Sequence, residues 1–149
     1  MIDVALAARA RIAERCADLF RHVGTVADLA VLTDSKVPSI APAAYVIPIE
    51  ERADHNQAMT DQVQRRVLAL GVAFVVRHAG DAAGALALET LQTLRTAVAD
   101  ALGGWTPSGC AGSVQSEGGG LAELMAGGVI VWQDIFTAGR WSQWAAATA

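Results

Sequence analysis

Residues 63–78, VQRRVLALGVAFVVRH, constrain the fold more than any other stretch. Their period is two. Leu68, Leu70, Val72, Phe74 and Val76 fall on one side, and Val67, Ala69, Gly71, Ala73 and Val75 on the other. One face is bulky and the other is small, yet both are apolar. Such a strand is expected to be covered on both faces in its middle, by helix on one side and by another element on the other. Arg65, Arg66 and Arg77 lie nearer the ends, where charge reaches water.

The rest of the chain supplies the layers. Residues 2–23 have helical periodicity: Ile12, Cys16, Leu19, Phe20 and Val23 form one stripe opposite Arg11, Glu14, Arg15, Asp18 and Arg21. Gly24 is placed to end that helix, and Thr25 to cap a short turn over 27–32. Asp34, Ser35, Pro38, Ser39 and Pro42 make 33–42 a loop. Residues 43–49 alternate as a strand, which Pro48 places at an edge or ends, because proline donates no ladder hydrogen bond. Residues 50–62, EERADHNQAMTDQ, read as a protruding polar loop, long enough to suggest a functional reason.

Asp81 is a plausible N-cap for a helix over 82–102, with Leu88, Leu91, Leu94, Val98 and Leu102 inward and Gly103-Gly104 as its stop. The runs Gly118-Gly119-Gly120 and Gly127-Gly128 read as turns around short strands near Val114 and over 121–125. Residues 129–137 alternate as the last strand. The expected architecture is one domain over 1–149, with an N-terminal helix in 1–24 and a C-terminal tail over 138–149. Its class is α+β, an antiparallel or mixed β-sheet with helices packed on one face.

Composition narrows the function. A chain of 149 residues buries a core without disulfides or metal. With 53% hydrophobic and 17% charged residues it is not a disordered chain; it has a large core or hides surface against partners. The net charge of −4 and a single lysine, Lys36, leave no basic footprint for nucleic acid. Arg9, Arg11, Arg15 and Arg21 are interrupted by Glu14 and Asp18 and read as a solvated helix face. Cys16 and Cys110 make no disulfide framework. Neither a secretory leader nor an apolar run near ~20 residues is evident, so a reducing cytoplasm is the expected site of synthesis.

Motifs that carry chemistry are sparse. His22, His55 and His78 have no metal-ligand spacing, and no HExxH, CxxC, GxGxxG or GxSxG occurs. The triple glycine lacks the Lys-Ser/Thr of a phosphate loop. Cys16 and His22 lie on different sides of a helix, and Cys16 reads as a small core residue. Glu50 and Glu51, as strand neighbours, point to opposite faces. Asp134 shares a face with Trp132 and Phe136. It is either a satisfied structural or interface group, or a tuned acid in a site with His78 and Glu117. No catalytic residue, cofactor or metal is assigned.

What remains resembles interface. Three of the four tryptophans, Trp132, Trp141 and Trp144, fall within thirteen residues. Trp132 reads as core; Trp141 and Trp144 cover an edge or anchor a partner. The interface candidates are therefore Glu50, Glu51, Arg52, Asp54, His55, Asn56, Gln57 and Asp61 in the polar loop, with Trp141 and Trp144 in the tail.

Four passages carry a resemblance over roughly residues 12–141: VGTVADLAVL, PAAYVIPIEERADHN, VQRRVLALGVAFVVRHAGDAAGALALETLQTLRTAVADALGGWTP and VIVWQDIFTAGRW. In order and spacing they resemble the small tail terminator proteins of tailed bacteriophages. The resemblance implies a small domain of sheet and flanking helices. It implies a ring, usually of six subunits, at the head-proximal end of the tail tube, which stops tube polymerisation and offers a surface to the head connector. No reaction is implied.

The implied partners are further copies of the chain, the tail tube protein, head–tail connector proteins and, in a contractile tail, a sheath terminator or sheath protein. Genomic DNA would pass through the lumen without sequence-specific binding, and no membrane is involved. The implied location is the virion tail or neck, after synthesis in the host bacterial cytoplasm. A mildly acidic, lysine-poor subunit suits a channel that releases DNA, an expectation that fails if Arg9, Arg11, Arg65 and Arg66 line the lumen. The alternatives are a head–tail connector or tail-completion protein, and a small enzyme or ligand-binding domain. The last requires a concave pocket with convergent ionisable groups.

Overall fold

A computed structural model of the chain describes residues 1–28, 40–78, 80, 84–125 and 128–145. Its elements are α1 (Ile2–Arg15), β1 (His22–Thr25), β2 (Ala43–Ala53), β3 (Gln62–Arg77), α2 (Ala85–Leu102), β4 (Gln115–Met125) and β5 (Val129–Trp144). The strands form one mixed sheet in the order β1-β2-β3-β5-β4. β1 runs parallel to β2, and every other pairing is antiparallel. Both helices pack on one face, so the expected α+β class is the observed one.

The long strand is buried on both faces in its middle, as its period requires, but α1 and α2 cover only one of them. Leu68, Leu70, Val72, Phe74 and Val76 are buried beneath α1 and α2, with Ala44, Val46, Ile130, Phe136 and Ala138 from neighbouring strands. Burying each large side chain contributes about 1.5–3 kcal/mol, so this layer dominates stability. On the opposite face Ala73 and Val75 are buried with Ala43, Tyr45 and Val129, and Ile47 and Val131 pack at the rim.

The first helix is shorter than its apolar stripe suggests. Val4, Ala5, Ala8 and Ile12 are its buried residues, and it ends at Arg15 with Cys16 as a buried C-cap. Phe20 reaches the core from the turn beyond, its ring 6.2 Å from that of Phe74. Leu19 stays at the surface, and Val23 and Gly24 belong to β1 instead of continuing or stopping the helix. Apolar residues descending to a sheet edge mimic one more helical turn. A new helical turn does begin after Thr25, whose N–H donates to Asp28 Oδ2 at 2.8 Å as in a capping box. Most of the expected turn over 27–32, and most of the loop over 33–42, lie outside the described residues.

The expected loop over 50–62 is strand at both ends and shortens to a tip over 54–61. β2 continues through Pro48 to Ala53, and β3 starts at Gln62. Arg52 pairs with Val67 and Ala53 with Arg66, and the Asp54 N–H donates to the Arg65 carbonyl at 2.8 Å. Polar composition misleads here because a ladder needs no apolar side chains where the sheet outruns its core. The residual tip, 54–61, is folded around Asn56, whose Oδ1 accepts from the backbone of Ala58 and Val63. Pro48 does mark an edge: β1 covers only Ala43–Val46 of β2. Proline does not end the strand; the register shifts between Pro48 and Glu50, leaving Ile49 as an extra residue.

The C-terminal half differs similarly. Gly118–Gly120 lie inside β4, which is one strand with register shifts at Ser116/Gly118 and Leu121/Glu123. β5 runs to Trp144, so the expected tail from 138 is mostly strand. The second helix begins at Ala85 behind Gly84; its expected cap, Asp81, lies outside the described residues. Ala87, Leu91, Leu94, Val98, Ala101 and Leu102 face the core, whereas Leu88 is exposed.

Candidate functional site

The second half of β2, the first half of β3 and the end of β5 pair beyond the helix-covered core. Arg66 lies between Ala53 and Arg140, and Gln62 is opposite Trp144. Together with the 54–61 tip they form a three-stranded arm. The arm gathers all ten interface candidates, which the sequence places in two distant segments. Glu50, Glu51 and Arg52 are on β2; Asp54, His55, Asn56, Gln57 and Asp61 are in the tip; Trp141 and Trp144 are on β5.

The two faces of the arm differ. On the helix side, Arg66 pairs with Glu51 at 3.3 Å and stands over the Trp144 ring at 5.3 Å. On the outer side Arg65 lies 3.9 Å from Asp54 and is in register with Trp141. Trp141 and Trp144, three residues apart on a strand, thus project to opposite faces, 52% and 47% exposed. Met59 at the tip is fully exposed. Met59 is not among the sequence-based interface candidates, although it is one large apolar residue in a polar stretch.

Two adjoining clefts run along the outer face at the root of the arm. One, of about 320 Å³, is lined by Arg65, Gly112, Ser113, Arg140 and Trp141, among others. The second, of about 270 Å³, is bordered by Glu50, Arg52, Ala69 and Glu117, and shares Val67 and Thr137 with the first. Glu117 accepts from the Thr137 hydroxyl at 3.0 Å. Arg140 donates to Asp3 Oδ2 at 2.6 Å, tying the start of α1 to β5 where the arm begins. That guanidinium, and then the Met1 ammonium, hold the Asp3 carboxyl well below its ordinary range. The same hydrogen bond pushes the Arg140 guanidinium up.

The residues of the enzyme alternative are not brought together. Asp134, buried on the helix face of β5, accepts from Arg95 of α2 and, at 2.8 Å, from the Trp132 indole N–H. Glu117 is bonded to Thr137 on the opposite face, and His78 Nε2 is 2.9 Å from the Thr90 hydroxyl. Asp134 is thus a satisfied structural group. Among the described residues no three of His, Cys, Asp and Glu are placed to hold a metal. The Cys16 thiol is pushed up by burial. No helix among the described residues is long and apolar enough to cross a membrane.

Arg9 and Arg11 are not a solvated face. Arg9 donates to the Val23 carbonyl at 3.1 Å; Arg11 donates to the Ala101 carbonyl and stacks over Trp105 at 5.1 Å. They clamp α1 to β1 and to the end of α2.

No curated protein sequence matches the chain. A chain in the structure titled "Virion of native gene transfer agent (GTA) particle" is similar at 17% identity, covering 76% of this chain and 84% of that one with a TM-score of 0.48. The family comparison is more extensive: residues 1–142, nearly the whole length and including β2, β3 and β5 as far as Ser142, match the family model described as phage tail terminator protein. This chain, a sheet with helices on one face and a projecting arm, belongs to the phage tail terminator family of structural virion proteins.

Proposed function

We propose that this chain assembles as a ring on the head-proximal end of a phage tail tube, stops tube polymerisation and presents an attachment surface to the head connector. The observation that carries this reading is the family match over residues 1–142. The geometry supports it through the arm, whose exposed tryptophans and fully exposed Met59 are anchors of the kind that interface centres use. A ring needs heterologous contacts, in which two different patches of each subunit meet. An arm on one end of the sheet is suited to be one of them. In this reading the chain is a single domain, made in the host cytoplasm and carried in the virion neck. Six copies, as in the proteins it resembles, surround a lumen that DNA crosses without sequence-specific binding. The work is that of contact surfaces and involves no catalysed reaction.

Electron microscopy of the purified protein, alone and with tail tube protein, tests this. Rings that cap tubes and limit their length are the expected result. A chain that stays monomeric and never binds tubes overturns it.

A further inference from the structure

The cleft of about 320 Å³ at the root of the arm holds a cation whose hydrogen bonds are unmade. Five arginines donate within the chain: Arg9 and Arg11 to carbonyls, and Arg66, Arg95 and Arg140 to carboxylates. The Arg65 guanidinium makes no such bond among the described residues. Its nearest carboxylate, Asp54, stands at 3.9 Å, beyond hydrogen-bond reach. Yet the group is not loose in solvent. Its Nη2, Nε and Cζ lie 3.4, 3.7 and 3.9 Å from where a Cβ on Gly139 would stand, so the flat guanidinium rests across that glycine in the floor of the cleft.

Neutral donors share the cleft. The backbone N–H groups of Gly112 and Ser113 and the Ser113 hydroxyl make no hydrogen bond among the described residues. The segment that carries them is fixed on both sides: the Ala111 N–H donates to the Gly139 carbonyl at 2.8 Å, and the Val114 N–H to the Trp105 carbonyl at 2.7 Å. Trp141, opposite Arg65 in the ladder and half-exposed, supplies an apolar wall. Arg52 is opposite Val67, which borders both clefts, and is therefore a diagonal neighbour of Arg65, roughly 7–8 Å away at the backbone. It too has no ion pair among the described residues.

The flanking charges choose among anions. Glu50 and Glu117 border the adjoining cleft, and the chain carries −4 overall. A run of phosphates along this face would meet both carboxylates, and nucleic acid needs a basic footprint that the chain lacks. A single carboxylate beside Arg65 competes only with the loosely placed Asp54. Its planar fork matches the guanidinium, and the methylene stem of an acidic side chain fits against an indole.

We propose that this cleft binds an aspartate or glutamate side chain of a partner protein, with Arg65 as its forked partner and Ser113 as a supporting donor. The site belongs to the isolated chain, so it stands or falls independently of the ring reading.

NMR titration tests it. The probes are the capped peptides acetyl-Gly-Glu-Gly-amide and acetyl-Gly-Gln-Gly-amide, and inorganic phosphate, each added to the full chain. The Glu peptide should move the Trp141 indole and the Gly112 and Ser113 amide resonances, and the Gln peptide should bind at least about tenfold more weakly, as the loss of a charge-assisted fork requires. Arg65→Gln should weaken the Glu peptide by a similar factor. Arg65→Lys, which keeps the charge and loses the fork, should recover only part of it. Arg77→Gln, the same charge change at the far end of β3, should leave binding unchanged. Four results each overturn the assignment: Glu and Gln peptides that act alike, phosphate that binds as tightly as the Glu peptide, unchanged binding in Arg65→Gln, or full binding in Arg65→Lys.

Discussion

Arg95 and Asp134, 39 residues apart, meet through a forked ion pair: Arg95 Nε lies 2.9 Å from one carboxylate oxygen, and a second guanidinium nitrogen 3.0 Å from the other. The same guanidinium stands 4.6 Å over the Trp132 ring, whose N–H also donates to Asp134. The cluster fastens α2 to β5 at a carboxylate that is almost fully buried.

Removing one partner of a buried pair leaves an uncompensated charge, which costs about 3–5 kcal/mol. The Arg95 side chain is 28% exposed and Trp132 keeps its bond. Arg95→Leu should therefore cost about 2–3 kcal/mol by urea unfolding. Arg95→Leu/Asp134→Leu should recover part of that loss. An Arg95→Leu protein as stable as the parent would show that the pair is dispensable.

Gly119 makes room for this cluster. A Cβ there would run into Asp134 Oδ1 and the Gln133 carbonyl, and come within 2.9 Å of the Trp132 indole nitrogen. Gly119→Ala should cost about 1–3 kcal/mol, the usual penalty of overpacking. At Gly120 a Cβ meets nothing within 4 Å. Gly120→Ala should stay within about 0.5 kcal/mol, as surface substitutions do. Thermal unfolding of the two variants checks the contrast, and equal effects would deny Gly119 its role.

What is legible in the sequence and what is not have a physical cause. Leu68–Val76 announced the core because a covered strand has no freedom in its period. The class followed, since one such strand flanked by amphipathic helices has few packings. The arm was invisible as an arm. Its residues were chosen for solvent and contact, so Glu50–Ala53 looked like loop and Trp141–Trp144 like tail. Only the ladder register joins them. Gly118–Gly120 read as a turn for a related reason: an edge strand takes glycine at Gly119, where Asp134 and Trp132 crowd its backbone, and at Gly118, where φ is positive. Asp134 stands out in the sequence beside Trp132 and Phe136; its cation does not, because Arg95 lies on another element.

Asp3 gives a pH signature. Its folded carboxyl titrates below the ordinary value of 3.8, chiefly because of Arg140. A depressed acid stabilises the fold fully above its unfolded pKa, and that contribution fades as pH falls toward the folded value. Asp3→Asn should therefore lower the melting temperature slightly at pH 7, and the gap to the parent should narrow below about pH 4. Asp3 is exposed enough that the effect at pH 7 is small. A gap that widens on acidification would reverse the assignment.

Trp141 and Trp144 separate folding from assembly. Both stand on the arm, outside the helix-covered core, so their removal costs the isolated chain little. Trp144 gives up its stack with Arg66, about 0.5–1 kcal/mol at an exposed site. An interface anchor, by contrast, loses at least about 2 kcal/mol of binding when truncated, roughly thirtyfold in affinity. Trp141→Ala and Trp144→Ala should therefore melt within a few degrees of the parent while ring formation or tube capping falls by more than about tenfold. Because the two rings project to opposite faces of β5, their losses report different sides of the same contact. An arm inserted into a groove loses assembly with either change. An arm lying flat on a partner loses it with only one. Unimpaired capping in both variants would remove the arm from the interface altogether.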